Sequence, residues 1–449
     1  MKNIPKYKDG SLLLGSLSEF LNQNQFNFFK KLGSYGNIIK FKLGFSNLIV
    51  ISDPIYIKYI LQENYKNYKK DFLYKDLSLA IGKGLVTSEG KLWKKQRKLI
   101  QPAFHKKSID GFSEIIKEET LYIIKKWHSL ENNRINLFQE MKEITMSIVS
   151  RCLFSFDIKI HAKELSNAID GIIGYLNMRM ETVIRIPGKP ILPTSNYKSF
   201  KNNLNIIKGT LIDIINDKRT KVQEPYDLLD MLILAQDEET GEGMSNEQLV
   251  DEIITLFAAG HETTASTLTW LYYSLNKYKN IDKKFHEQLS TLSSINQLTV
   301  SDILSFEYIH LLIQESMRFY PVVWAVGRES INEDNLFGYK ISKGATIMVP
   351  IMYMHHHPDY WDNPDEFNPD RFKNVNIDKE LKWIYMPFSE GPRKCIGNNF
   401  AMLEMIIITT MLSKEFKIQI ENMENIKIHN GITSRPKEDI FARIEKNFS

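Results

Sequence analysis

The segment Met244 to Leu275, "MSNEQLVDEIITLFAAGHETTASTLTWLYYSL", constrains the fold more than any other stretch of the chain. Ser245 and Gln248 have the spacing of a capping box, which marks a helix start. Leu249, Ile253, Leu256, Gly260, Thr264, Thr267 and Leu271 then recur every three or four residues and form one continuous face. A helix of about 30 residues spans roughly 45 Å, enough to cross a whole domain. A chain built around such a rod is mainly helical. Gly260 sits in its middle, where glycine costs about 1 kcal/mol against alanine, and Glu262, Thr263 and Thr264 follow at once. Two readings stand side by side. Gly260 allows close helix packing while the threonines bond back to their own turn. Or the helix opens locally, so that an acid and an alcohol face an apolar cavity and deliver protons there.

The remaining pattern agrees with a mainly α chain carrying small β-sheets. "NIIKFKL" alternates Ile39, Phe41 and Leu43 with lysines, and "NLIVIS" follows the Gly44-Phe45-Ser46 turn, which reads as a hairpin. Asp53-Pro54 supplies an N-cap and a first-turn proline. Amphipathic helical patterns fill residues 90–320, broken by a proline-rich loop from Arg185 to Tyr197. A second strand region is expected from Leu336 to Pro350, turning at Ser342-Lys343-Gly344. No linker or repeat divides the chain, so one domain over residues 1–449 is expected, with a β-containing N-terminal lobe and a large helical lobe.

Two cysteines, Cys152 and Cys395, cannot form a disulfide framework. A formal net charge of +4 with dispersed lysines argues against a nucleic-acid partner. No run approaches the roughly 18 apolar residues of a membrane span, and the Leu12–Leu14 run is too short for a signal peptide. A soluble, cytoplasmic protein is expected.

Cys395 stands in "FSEGPRKCIG", a basic glycine-rich loop, whereas Cys152 in "RCLFSF" reads as a small buried hydrophobe. In "YIHLLIQESMRFYP", Glu315 and Arg318 share a helix face. Their apolar flanks argue for burial rather than a surface pair, with Arg371 of "NPDRF" a candidate third member that spacing alone does not establish.

Together these segments resemble the cytochrome P450 superfamily of haem-thiolate monooxygenases. "WKKQR" (Trp93, Arg97) is similar to its haem-propionate helix. "AGHETT" (Ala259 to Thr264) is similar to its oxygen-activating segment. "ESMR" with "PDRF" resembles its Glu-Arg-Arg network, and Phe388 to Gly397 matches F-x-x-G-x-R-x-C-x-G at every fixed position. Four motifs in this order cover essentially the whole chain.

The resemblance implies the P450 fold, a triangular prism whose long central helix passes over haem b. It makes Cys395 the axial thiolate ligand, which favours O–O cleavage, with Phe388 and Gly397 in its loop tuning the sulfur. Trp93, Arg97, Arg328 and Arg393 are implied to hold the haem propionates. Thr263 is implied to bond O2, the co-substrate, and Glu262 to relay protons. Glu315, Arg318 and Arg371 are implied to be structural. Leu256, Phe257, Ala259, Val322, Val323 and Trp324 are expected at the substrate pocket, although Trp324 also reads as packing. That apolar set favours a fatty acid or a terpenoid.

After Cys395, 54 residues remain (449 − 395), with no room for a fused reductase. Electrons are therefore expected from a ferredoxin or flavodoxin and its reductase, docking on a basic patch at Lys94, Lys95 and Lys98. A monomer is expected. Glu390 stands where the family usually has a small residue. His355 to His357 form a triplet where one histidine is usual, and a zinc site there is disfavoured because consecutive side chains diverge. Oxidative O-demethylation of a small polar ether, a peroxide-driven peroxygenase and a non-catalytic haem protein are the alternatives. The Glu262-Thr263 pair speaks against the last two.

Overall fold

A computed structural model describes residues 2–11, 14–22, 25–105, 109–155, 162–181, 194–221, 227–236 and 241–447. Within these the chain is mainly helical, with small sheets. Most of the expected loop at Arg185 to Tyr197 lies outside the described residues; its end, from Ser195, begins a helix. The chain forms two compact units, residues 1–75, 314–395 and 428–435 in one, and 76–313, 396–427 and 436–449 in the other.

The first unit carries a five-stranded sheet. The hairpin Ile38–Leu43 and Ser46–Ile51 is present as expected, with Lys40 opposite Ile49. Ser46–Ile51 pairs in parallel with Thr346–Val349, which pairs antiparallel with Val326–Ser330, and Tyr68–Lys70 closes the edge. The Leu336–Pro350 region carries strands and a turn as expected, and its strands pair with different partners. Gly344 turns the chain at φ +76°, but Tyr339–Ile341 pairs back with Asp334–Leu336 while Thr346–Val349 joins the large sheet. Register here follows the buried faces, which local turn chemistry does not determine. Ile49, Ile51, Ile57, Ile60, Ile347 and Val349 form the core on one side, and Phe28, Phe29, Phe41 and Trp324 pack on the other. Asp53 caps the next helix as expected, accepting from the Ile55 amide at 2.8 Å.

Glu315, Arg318 and Arg371 meet inside this unit. Arg318 is fully buried, and all five of its N–H groups are placed. Nε and Nη2 donate to the two Glu315 oxygens at 2.7 and 2.9 Å. Nη1 donates to the carbonyls of His355 and Pro364, and Nη2 to that of Glu366. Arg371 Nε donates to Glu315 Oε1 at 3.2 Å, and the Asn368 amide reaches the same oxygen at 2.7 Å.

The second unit is organised on the 32-residue helix Asn246–Lys277. Ser245 accepts from the Gln248 amide at 3.2 Å, so half of the expected box forms; the reciprocal bond from the Ser245 amide to the Gln248 carboxamide oxygen does not. The helix is buried nearly all round, because the Leu137–Phe154, Ser195–Lys221 and Asn398–Glu415 helices pack along it. It is continuous across Gly260, so the local opening is not seen. A Cβ at Gly260 would lie 2.9 Å from Val149 Cγ2, and the adjacent Thr145 hydroxyl donates to the His261 carbonyl at 3.0 Å. Close helix packing is therefore what glycine allows here.

Replacing Arg318 with leucine leaves the Glu315 carboxylate buried without its main partner. Chemical denaturation should show a loss of about 3–5 kcal/mol, and a loss below about 1 kcal/mol would contradict the network's structural weight.

Candidate functional site

The Cys395 loop is built by two residues in left-handed conformations, Ser389 at φ +57° and Gly391 at φ +77°. At Gly391 a Cβ would lie 2.2 Å from the Leu61 carbonyl oxygen, so both the conformation and the space demand glycine. Gly391–Arg393 makes a single tight turn, and the Cys395 amide donates back to the Phe388 carbonyl at 2.9 Å. The result presents an exposed Cys395 that is in no disulfide, with Phe388 and Arg393 half-buried beside it in sequence. Cys152 is buried, as expected of a core residue, and burial pushes its thiol well above the usual range.

The loop is anchored at its root by His355. This ring is fully buried, and its Nε2 accepts the Met386 amide at 2.8 Å, while the His355 carbonyl accepts from Arg318. Burial first, then the neighbouring His356 and Arg318, lowers the His355 pKa to about 3. His356 packs between Phe26 and Phe319, and burial lowers its pKa to about 4. The triplet is thus a set of neutral core side chains. No group of three or more metal-ligating side chains exists among the described residues. Glu390 is buried and paired with Lys394 at 2.7 Å, so its charge is neutralised locally.

Arg328 is the central residue of the Val326–Ser330 strand, opposite Ile347, and is only 5% exposed. One N–H reaches the Gly327 carbonyl at 2.8 Å, but no carboxylate lies within ion-pair distance among the described residues. Asp71 acts on this guanidinium beyond ion-pair distance and the Tyr74 hydroxyl hydrogen-bonds it, so its charge is only partly compensated, and an anionic group from outside the chain would complete the pairing. Burial raises the neighbouring Asp71 to about 6. Val322 is buried and Val323 half-buried. Trp324 is a packing residue of the aromatic core, its indole N–H donating to the Gly431 carbonyl at 2.9 Å.

In the second unit, one window interrupts the burial of the Asn246–Lys277 helix. Ala259 is exposed, Phe257, Gly260 and Thr263 are half-exposed, and Leu256 and Glu262 are buried. Ala259 and Thr263 are four residues apart and share a face. The Thr263 hydroxyl donates to the Ala259 carbonyl at 2.7 Å, Thr264 to Gly260 at 3.1 Å and Thr267 to Thr263 at 3.0 Å. The Gly90–Ile100 helix carries buried Trp93, half-buried Arg97, and exposed Lys94 and Lys98; Lys95 reaches Glu242 at 3.5 Å. Gly397 precedes the Asn398–Glu415 helix.

A family model described as Cytochrome P450 matches residues 5–442. The chain belongs to the cytochrome P450 family. It is a P450 monooxygenase, and the family implies haem and O2. Among its relatives, Protein LUTEIN DEFICIENT 5, chloroplastic, of Arabidopsis thaliana is 28% identical, over 92% of this chain and 72% of that protein. The ultra-long-chain fatty acid omega-hydroxylase of Homo sapiens is 27% identical, over 89% and 79%. Cyclooctat-9-en-7-ol 5-monooxygenase of Streptomyces melanosporofaciens is 25% identical, over 91% and 88%.

The residues of this P450 fit a haem. The first unit offers an exposed thiol in a rigid loop and a buried arginine awaiting an anion. The second offers a helix whose mid-length burial lapses around Ala259 and Thr263. No described helix is long and apolar enough to cross a membrane.

Three buried polar groups escaped the sequence reading. Glu404 lies at 0% exposure on the Asn398–Glu415 helix, and neither of its oxygens has a hydrogen-bond partner among the described residues. Burial pushes it well above the usual carboxylate range, with Thr264 opposing. Its signal was a lone acid in "NFAMLEMIII". Asp251 and Glu252 gave a similar one, an acid pair inside "LVDEIITLF".

Histidines held neutral stabilise this P450 fully above the ordinary value of 6.5 and lose that contribution as pH falls toward their folded values, since the unfolded rings take up protons first. His356→Phe should therefore gain melting temperature relative to wild type between about pH 6.5 and pH 4. A constant difference across that range would contradict neutral burial.

Proposed function

We propose that this P450 holds haem b through Cys395 and oxidises a C–H bond of a hydrophobic small molecule, a fatty acid or a terpenoid. In this reading the two units form one haem domain. The observation that carries it is the window in the central helix, where apolar Phe257 and Ala259 adjoin Thr263, with Glu262 next to it in sequence and buried. Leu256, Phe257 and Ala259 on the helix and Val322 and Val323 after the Glu315–Arg318 segment are the substrate-facing set; none carries a charge. The names of the human and Streptomyces relatives, a fatty acid hydroxylase and a cyclooctat-9-en-7-ol monooxygenase, support these two classes.

Cys395 would bind iron as thiolate. The helix that begins at Asn398 favours an anionic sulfur at its N-terminal end. Arg328 and Arg393 of the first unit, and Trp93 and Arg97 of the second, would hold the propionates by charge-assisted hydrogen bonds. Bound haem supplies the iron at which O2 is reduced by two electrons and two protons, one atom leaving as water and the other entering the substrate C–H bond. Thr263 is the residue that moves a proton. Its Oγ1–H, now donated to the Ala259 carbonyl, turns toward the window and is replenished from Glu262. Glu315, Arg318 and Arg371 hold the Cys395 side of the site rigid.

Electrons come from a separate ferredoxin or flavodoxin and its reductase. Exposed Lys94 and Lys98 offer a basic face to an acidic donor, and Lys394 cancels the Glu390 charge that would oppose it. The enzyme acts as a monomer in the cytoplasm.

Reduced protein under carbon monoxide should show the red-shifted band of thiolate ligation, and Cys395→Ala should abolish it; retention of the band in the variant excludes Cys395 as ligand. Thr263→Ala, driven by a ferredoxin and its reductase, should lose product per electron by about tenfold or more and release peroxide instead. Unchanged coupling would remove Thr263 from the proton path.

A further inference from the structure

The segment joining the Phe72–Ile81 helix to the Gly90–Ile100 helix, "GKGLVTS" (Gly82 to Ser88), is gripped by the first half of the central helix. Asp251 Oδ2 accepts the Lys83 amide at 2.7 Å, and Glu252 Oε2 accepts the Leu85 amide at 2.8 Å. Two alternate amides of one short segment are therefore captured by two adjacent carboxyl groups. The fit is close. A Cβ at Gly82 would lie 2.0 Å from Asp251 Oδ1, and one at Gly84 would lie 2.0 Å from Thr255 Oγ1. Gly82 also adopts φ +56°. The far side of the segment is held by Gln96, which is fully buried. Its carboxamide donates to the Lys83 carbonyl at 2.7 Å and accepts from the Ser88 hydroxyl. Gln96 stands on the same helix as Trp93 and Arg97.

We propose that Asp251 and Glu252 are positioning residues that latch segment 82–88 onto the central helix, and through Gln96 fix the helix bearing Trp93 and Arg97, and that protonation of Glu252 holds the latch closed. Full burial of the group, with one of its oxygens unpartnered, favours its neutral form. Glu252 has 0% exposure and receives one backbone N–H, while its Oε1 has no hydrogen-bond partner among the described residues. An anion in that position is undercompensated. The groups facing the pair do not change this. Lys83 of the segment and Lys208 of the Ser195–Lys221 helix act on Asp251, Glu247 opposes them, and Asp251 itself repels a charge on Glu252. The Gln96 carboxamide favours the charged form, but burial outweighs it and raises Glu252 to about 8.

An open latch would return Glu252 to its ordinary value of 4.5, so the closed state is favoured most below that value. The closed state loses its advantage as pH rises to about 8 and gains nothing further above it.

Hydrogen exchange of the holoenzyme, read on peptides spanning residues 82–89 and corrected for intrinsic rates, tests this directly. Protection at Lys83 and Leu85 should fall about tenfold or more between pH 6 and pH 9 in the wild type. Glu252→Gln keeps a neutral acceptor and should remain protected at both values. Glu252→Ala should be about tenfold less protected at pH 6 and should bind a neutral phenylimidazole with altered affinity. Equal protection in wild type and Glu252→Ala, or a wild-type protection that does not change with pH, overturns the latch. Exchange reads the latch without reference to the iron. Its failure is thus distinct from failure of the thiolate reading, which the carbon monoxide spectrum reports.

Discussion

Arg318 is the charge on which the first unit depends. A fully buried guanidinium is tolerable only when every N–H has an acceptor, and here Glu315 and three carbonyls supply them. One of those carbonyls belongs to His355, whose ring accepts the Met386 amide at the root of the Cys395 loop. The chain of contacts thus runs from the ion pair to a neutral imidazole to the loop that presents the thiol. The sulfur's position is inherited from an electrostatic requirement set nearly eighty residues earlier in the chain. Rigid support of this kind is what a metal ligand needs, since its geometry must be fixed before the metal arrives.

The same logic divides what could be read in the sequence from what could not. The long central helix, the hairpin at Ile38–Ile51, the Asp53 cap and the Cys395 loop were legible because each rests on local spacing. The ion pair was legible because Glu315 and Arg318 share one face of one helix, and Arg371 only as a candidate because its approach is tertiary. The strands and turn of Leu336–Pro350 were legible, but not their pairing, since the partners of Thr346–Val349 lie far away in the chain. His355, Glu252 and Glu404 were illegible as buried groups for the same reason. Their type is visible, but their environment is assembled from other elements. Trp324, expected at the pocket but read also as a packing residue, lies among Phe20, Phe28 and Phe29.

Glycine marks the points where backbones must touch. Gly391 lets the Cys395 loop lie on the Leu61 carbonyl, Gly260 lets two helices approach, and Gly82 lets a carboxylate reach a main-chain amide. Each gives up helix or chain stability for a contact no other residue permits. Gly391 and Gly260 lie in segments assigned to chemistry, which is where local preference is expected to yield.

The parallel pairing of Ser46–Ile51 with Thr346–Val349 has a consequence for how the molecule is made. One strand leaves the ribosome early and its neighbour about three hundred residues later. At synthesis rates of roughly 5–20 residues per second the first strand waits for some 15–60 seconds with its hairpin edge bare. Through that interval residues 76–313 of the helical unit are made, but not its Asn398–Glu415 helix, and the exposed strand edge must stay clear of other nascent chains.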